Sequence, residues 1–222
     1  MPKPDPNPMT AEAFAAAADV SRETLRRFEA YAEALVKFQK TINLVSPDSL
    51  RDLWRRHFLD SAQLYRYLPP PGGAGVPRVL LDFGSGGGFP GLVLAIMADA
   101  GNEHMTVHLV ESDARKCAFL REAARLAGVR VEVHNVRVEE LEAFPVDVIS
   151  ARAVAPIDKI LSLIQGFIGQ GHGNLSVLLP KGRQSGEELT AAGKNWTMKV
   201  ESFPSLTEAG ASILRLTDIR RD

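Results

Sequence analysis

The stretch Leu80–Gly91, LLDFGSGGGFPG, ends an apolar run in an acid and follows it with five glycines in eight residues. Backbone that bare can close on a ligand with no side chain intervening, and glycine adopts the left-handed conformations that tight turns demand. Two cofactor patterns overlay it. Gly86, Gly88 and Gly91 satisfy G-x-G-x-x-G, the dinucleotide fingerprint. Asp82, Gly84, Gly86 and Gly88 satisfy acid-x-G-x-G-x-G, the pattern of S-adenosylmethionine sites. The second is favoured, because the glycines begin two residues past the acid and Phe89-Pro90 stands where a pyrophosphate would enter the helix terminus. The structural alternative is a tight turn that uses glycine for packing alone.

Further candidates follow downstream. Glu111, 29 residues after Asp82, ends the strand-like run in VHLVESD. A carboxylate there accepts hydrogen bonds from both ribose hydroxyls of either nucleoside cofactor. As a helix N-terminal acid it would instead answer the macrodipole, a role Asp113 fills equally well. NVRVEELEAF places Val138 and Glu139 at the loop where an adenine ring would lie, with backbone amides and a small apolar face mattering more than the carboxylate. Arg152, in ISARAVAP, ends the fourth strand and reads as a positioning residue that also bonds a guanine or a phosphate, or else as a salt-bridge partner. Lys181 and Arg183 in LPKGR, with Arg51, Arg55 and Arg56 in RDLWRRHF, are candidate contacts to an RNA backbone, and Trp54 among them offers a base a stacking surface. The same helix reads equally as a solvated arginine face with Trp54 and Phe58 packed inward at i, i+4. No Ser/His/Asp order, His/Glu metal cluster or NPPY tetrad follows the fourth strand, so neither an acid–base dyad nor a metal site is expected.

The elements that must position these residues fall into two parts. Residues 1–8, with proline at alternate positions, read as a disordered start, and 9–68 as a helical extension. In it Ser21 caps a helix carrying Leu25, Phe28, Leu35 and Phe38, and a second helical stretch runs from Pro47 to Leu68. PPPGGAGVP, 69–77, marks a hinge. From 78 to 222 strands and helices alternate, which predicts an α/β fold with a parallel sheet covered on both faces. Its short helix around EELEAF follows a strand VRVEVHNV, and its last two strand-like runs, TMKVESF and ASILRLTDIR, are separated by a loop alone. They should pair antiparallel at one edge, an ending that suits a Rossmann-type methyltransferase sheet better than a dehydrogenase one.

Composition bounds the partners. With 222 residues, 45% of them hydrophobic, the chain can bury one core and a small appended unit. A formal charge of -1 gives no whole-molecule attraction to a polyanion, so RNA must meet a local patch. The single cysteine, Cys117, excludes an internal disulfide framework, and no apolar run is long enough for a membrane helix or a signal peptide. A cytoplasmic, monomeric protein with no membrane partner is expected.

Together LLDFGSGGGFPG, RVEE at 137–140, ISARAVAP, LPKGR, INLVS at 42–46 and RHFLDS at 56–61 resemble the bacterial small-subunit rRNA guanine-N7 methyltransferases, the RsmG (formerly GidB) family. The resemblance runs from about residue 25 to the C-terminus. It implies an S-adenosylmethionine cofactor held by Gly84, Phe89, Val138, Glu139 and Arg152 with an acid at Glu111, to which the glycine pattern adds Gly86, and 16S rRNA or an assembling small subunit as partner. Asn43, His57 and Asp60 belong to the same motifs and would fasten the helices over the cofactor mouth. Guanine N7 has a free lone pair, so the implied chemistry needs positioning by Arg152 and no general base. The rival readings are a methyltransferase for a small molecule and a non-catalytic nucleoside- or RNA-binding module.

Overall fold

The computed structural model describes residues 7–70, 76–170 and 175–222. Seven strands form one sheet in the order β3-β2-β1-β4-β5-β7-β6: β1 Arg78–Phe83, β2 Met105–Val110, β3 Glu132–His134, β4 Val148–Ser150, β5 Ser176–Lys181, β6 Trp196–Pro204 and β7 Ser212–Arg221. The first five are parallel; β7 runs antiparallel to both β5 and β6. The α/β expectation and the antiparallel edge are both met. Because β2 and β4 flank β1 on opposite sides, the strand order reverses there, and the crevice beyond the carboxyl ends of β1 and β4 is where open α/β sheets bind ligands.

Alternation along the strands assigns two core faces. Leu80, Val148 and Leu178 pack with α5 (Gly91–Ala100), α6 (Ala114–Leu126) and the N-terminal helices. Leu81, Ile149 and Val177 pack with α7 (Ile157–Leu163) and Ala192 at the end of α8 (Ser185–Ala192). The N-terminal helices therefore do not form a core of their own. Phe14 of α1 (Ala11–Ala18) and Phe28, Tyr31 and Leu35 of α2 (Arg22–Gln39) are fully buried in the same cluster as Leu80 and Leu92. Ser21 caps α2 as expected, its hydroxyl accepting from the Thr24 amide at 3.1 Å. Arg27 ties α2 to the end of α6 through the Ala127 carbonyl at 2.7 Å and to Asp99 of α5 at 2.9 Å.

After α3 (Pro47–Leu50) the chain forms a π-helical stretch, Trp54–Leu59, that runs into α4 (Asp60–Ala62) and a 3-10 turn, Gln63–Tyr67. The Asp60 amide reaches back five residues to the Arg55 carbonyl. That wider turn leaves the Arg56 carbonyl for another donor, a use of π geometry typical of functional sites.

Several boundaries depart from the sequence reading. Of the start read as disordered, residues 1–6 lie outside the described residues; at residue 7 the Asn7 carbonyl accepts from Arg55 at 3.3 Å. Residues 71–75 of the proline–glycine hinge also lie outside them. The helix expected around 139–144 is a 3-10 turn, Val138–Glu140. Pro145 pushes Phe144 toward extended conformations, and Phe144 packs on His108 with ring centroids 4.5 Å apart. Strand β3 is only three residues long, and α7 stops at Leu163 before a separate 3-10 turn, Gln165–Phe167.

Candidate active site

The glycine stretch forms the turn between β1 and α5. Gly84, Gly86 and Gly88 have φ of +64°, +51° and +90°, so the pattern Gly-x-Gly-x-Gly is required by the left-handed backbone itself. What surrounds the first two differs. A Cβ at Gly84 would lie 2.5 Å from Cγ2 of Val154 in the loop after β4, whereas at Gly86 nothing stands nearer than 3.7 Å. A Cβ at Gly86 would therefore make only ordinary contact, with the Gly84 and Leu44 carbonyl oxygens, whereas Gly84 faces the neighbouring loop. From the other side Tyr31 of α2 donates its hydroxyl to the Gly87 carbonyl and stacks on Phe89, centroids 5.4 Å apart.

Asp82 lies beneath this turn, fully buried. Its Oδ1 accepts from the Ser150 hydroxyl at 2.7 Å and its Oδ2 has no partner among the described residues. Burial pushes its pKa up to about 6, against the pull of the Ser150 hydrogen bond. Beside the turn, Glu111 spans two loops: Oε2 accepts from the Gly86 amide at 3.0 Å and Oε1 from the Asp113 amide at 2.9 Å. Asp113 caps α6 by accepting from the Arg115 amide at 2.8 Å. Asp113 thus takes the helix-capping role, and each Glu111 oxygen keeps a further lone pair.

Arg152, one residue past β4, is the centre of the opposite wall. Its Nη1 donates to the Arg56 carbonyl at 2.9 Å and to Asp60 Oδ2 at 3.3 Å, its Nη2 to His57 Nδ1 at 2.5 Å, and its guanidinium lies 5.0 Å from the Phe89 ring centroid. The carbonyl is the one released by the π-helical turn. His57 is buried, and burial followed by the Arg152 and Arg56 charges holds its pKa down to about 3. It is therefore neutral, accepting at Nδ1 from Arg152 and donating from Nε2 to the Ser49 hydroxyl at 2.8 Å. Asp60 completes the clamp, since its Oδ1 accepts from Gln63 at 3.0 Å and from Thr207, in the loop between β6 and β7, at 2.7 Å. His57 and Asp60 fasten the helices at the site as expected; Asn43 is exposed.

Both walls open into one cleft of about 850 Å³, lined among others by Gly84–Gly87, Phe89, Arg56, Arg152 and Arg183. Of the predicted cofactor residues, Gly84, Gly86, Phe89 and Arg152 line this cleft. Glu111 joins it through Gly86; Val138 is buried in the core of the far sheet face, and Glu139 is exposed. Of the predicted RNA contacts, Arg51 and Arg56 are exposed and Arg183 lies against Gly210 at the cleft rim. Arg55 pairs with Asp52 at 3.3 Å and with the Asn7 carbonyl. Lys181 departs from expectation. Its ammonium donates to Glu188 at 2.7 Å and to the Ala155 carbonyl at 2.8 Å, with 11% of the side chain exposed, so its charge braces the loop after β4. Trp54 is half-buried and packs inward. It lies between Phe14 and Phe58, centroids 5.4 and 4.6 Å away, and the inward-packed reading is the one observed.

Sequence reasoning missed Tyr31, Ser49 and Thr207. Ser49 carries a signal in retrospect, standing in the Ser46-Pro47-Asp48-Ser49 start of α3 where its hydroxyl also donates to the Ser46 carbonyl at 2.8 Å. Thr207 has none, because only the folded hairpin brings it to Asp60.

A doubly wound sheet with a left-handed glycine turn after β1, an acid after β2 and an antiparallel hairpin at one edge defines a Rossmann-type methyltransferase. Solved structures share this fold: the cofactor-bound Rv0187 of MTB at a TM-score of 0.56 and 17% identity, covering 96% of this chain and 98% of that one. An O-methyltransferase from Bacillus cereus in complex with SAH gives a TM-score of 0.53 at 13% identity, over 85% and 91% of the two chains. The family profile of GidB, rRNA small subunit methyltransferase G, matches residues 24–214. The ribosomal RNA small subunit methyltransferase G of Rhodospirillum rubrum is 51% identical over 213 residues, 96% of this chain and 100% of that protein. Its counterpart from Ruegeria sp. is 43% identical over 203 residues, 91% and 95% of the two. The chain belongs to the rRNA small subunit methyltransferase G family and is an S-adenosylmethionine-dependent methyltransferase. The residues fit that cofactor: the glycine turn lines the cleft with bare backbone, and the carboxylate of Glu111 stands beside the same turn.

Proposed function

We propose that this enzyme transfers a methyl group from S-adenosylmethionine to N7 of a guanine in 16S rRNA, as a monomer in the cytoplasm, on free RNA or on an assembling small subunit. The observation that carries the reading is the single cleft, with left-handed glycines on one wall and an arginine head fixed by a neutral histidine on the other. The small-subunit rRNA in the name of its relatives supplies the substrate class.

Guanine N7 has an exposed lone pair and no proton at neutral pH, so the attack needs no general base. The cofactor supplies a methyl on a cationic sulfur; the N–C bond forms as the C–S bond breaks, and the guanine takes up the positive charge. The protein's task is then placement in line, which contributes about 7–11 kcal/mol at best. Arg152 uses three of its five N–H donors on Arg56, Asp60 and His57, and the other two are available to the guanine O6 or a phosphate. Arg56 and Arg183 at the rim supply the local positive charge that the net charge of -1 does not.

The test is transfer of labelled methyl to rRNA from cells lacking this gene, followed by mapping of the labelled base. A single N7-methylated guanine in the small-subunit RNA is expected. Label on a small molecule, on another atom, or cofactor binding without turnover would each replace this reading.

A further inference from the structure

A second cluster lies away from the cleft, on the face shared by β2 and the edge strand β3. The register opposes His108 to Glu132 and Val110 to His134, so the three polar side chains project on one side. His108 Nδ1 is 2.9 Å from His134 Nε2 and 3.4 Å from Glu132 Oε2, and the three ligand atoms all lie within 4.8 Å of one another. The imidazole rings stack at 21°, with Phe144 against His108.

Two ring nitrogens and a carboxylate oxygen are all acceptors unless a proton intervenes. One proton on His108 Nδ1 serves one of the other two atoms at a time, whereas a divalent cation serves all three. Metal–ligand bonds of about 2.0–2.2 Å at tetrahedral to octahedral angles place neighbouring ligand atoms about 2.8–3.6 Å apart. The observed separations of 2.9 and 3.4 Å match that spacing closely.

We propose that His108, Glu132 and His134 form a divalent metal site of the zinc class, with water completing the coordination, that clips β3 to β2. Two nitrogens and one carboxylate suit zinc rather than magnesium or calcium, which take oxygen ligands. A site at this place is structurally useful. Strand β3 has a single neighbour, and the His134 carbonyl accepts the Glu111 amide at 3.0 Å, so the clip steadies the strand that holds the cleft's acid in place. The sequence predicts no metal ligands after the fourth strand; these lie before it, His108 24 and 26 residues ahead of Glu132 and His134, and meet only through strand pairing.

Calorimetric titration of the full, tag-free chain with zinc chloride after EDTA treatment tests the proposal. One bound equivalent is expected, with the thermal midpoint raised by about 5–10 °C at a hundredfold excess over the dissociation constant. Glu132→Gln, at an exposed position, and His134→Gln should each weaken binding by about tenfold or more with an unchanged circular dichroism spectrum, while His104→Gln should bind as the wild type does. No binding at about 100 μM zinc (a bound near −5 kcal/mol on the affinity), or binding that Glu132→Gln and His134→Gln leave intact, overturns it.

Discussion

The two walls of the cleft are built in different ways. The glycine wall is local: Ser85 bonds the Asp82 carbonyl three residues back, and Gly86 meets Glu111 25 residues on. The arginine wall is assembled from afar, with His57 and Arg152 95 residues apart and Asp60 and Thr207 147 apart. The first is fixed by backbone conformation, which a side chain either permits or does not. The second is a network of hydrogen bonds whose members depend on one another, so its failures should be graded.

The largest effect should come from the local wall. Gly86→Val puts a β-branched residue at a φ of +51° on the turn that lines the cleft, so cofactor binding should fall by more than about 100-fold, roughly 3 kcal/mol, with the fold retained. Calorimetry with S-adenosylmethionine reads it directly. Wild-type affinity in this variant would remove the cofactor from the turn. Gly84→Val should act differently, displacing Val154 and the loop that carries Arg152.

Next comes Arg152→Ala in the distant wall. Methyl transfer at saturating RNA should drop about 100-fold to 1000-fold, the loss expected when a preorganised donor is removed. A change in RNA KM alone, with kcat intact, would make Arg152 a binding residue.

The network's histidine gives a graded effect with a pH signature. His57 has a folded pKa of about 3, below the usual 6.5, so the unfolded chain binds its proton first. Its contribution to stability is fully present above pH 6.5 and is lost as pH falls toward 3, by up to about 1.4 kcal/mol per unit. Asp82 runs the other way: its pKa is raised to about 6, so its contribution is present below about 3.8 and lost as pH rises through 6. Between pH 6 and 4 the two oppose each other. Urea unfolding of His57→Gln should therefore gain on the wild type steadily as pH drops from 6.5. A pH-independent difference would mean that His57 takes up its proton in the folded enzyme as readily as in the unfolded chain.

The smallest effect separates rim charges from structural ones. Each phosphate contact on single-stranded RNA contributes about -0.7 to the log–log salt slope of affinity. Arg56→Ala with Arg183→Ala should flatten the slope by up to about 1.4. Lys181→Ala should leave it unchanged and lower thermal stability instead, since the lysine holds Glu188 and the Ala155 carbonyl. A flattened slope in Lys181→Ala would return that residue to the RNA path.

What the sequence determined by itself was whatever a short segment enforces. The left-handed φ values of Gly84, Gly86 and Gly88 belong to one turn, strand β1 occupies the residues RVLLDF that its apolar run defines, and Ser21 caps α2 three residues before its partner amide. Local sterics and hydrogen bonds reach only a few residues, so pattern and spacing reveal them. Charges were a different matter. Lys181 and Arg183 look alike in LPKGR, and only the packing of α8 against the end of β5 neutralises one and leaves the other at the rim. Arg152, His57, Ser49 and Thr207, like His108 with Glu132 and His134, meet because a sheet register and a shared core bring distant segments within 3.5 Å. Coulomb and hydrogen-bond energies depend on those final distances and on burial, and the chain order carries neither.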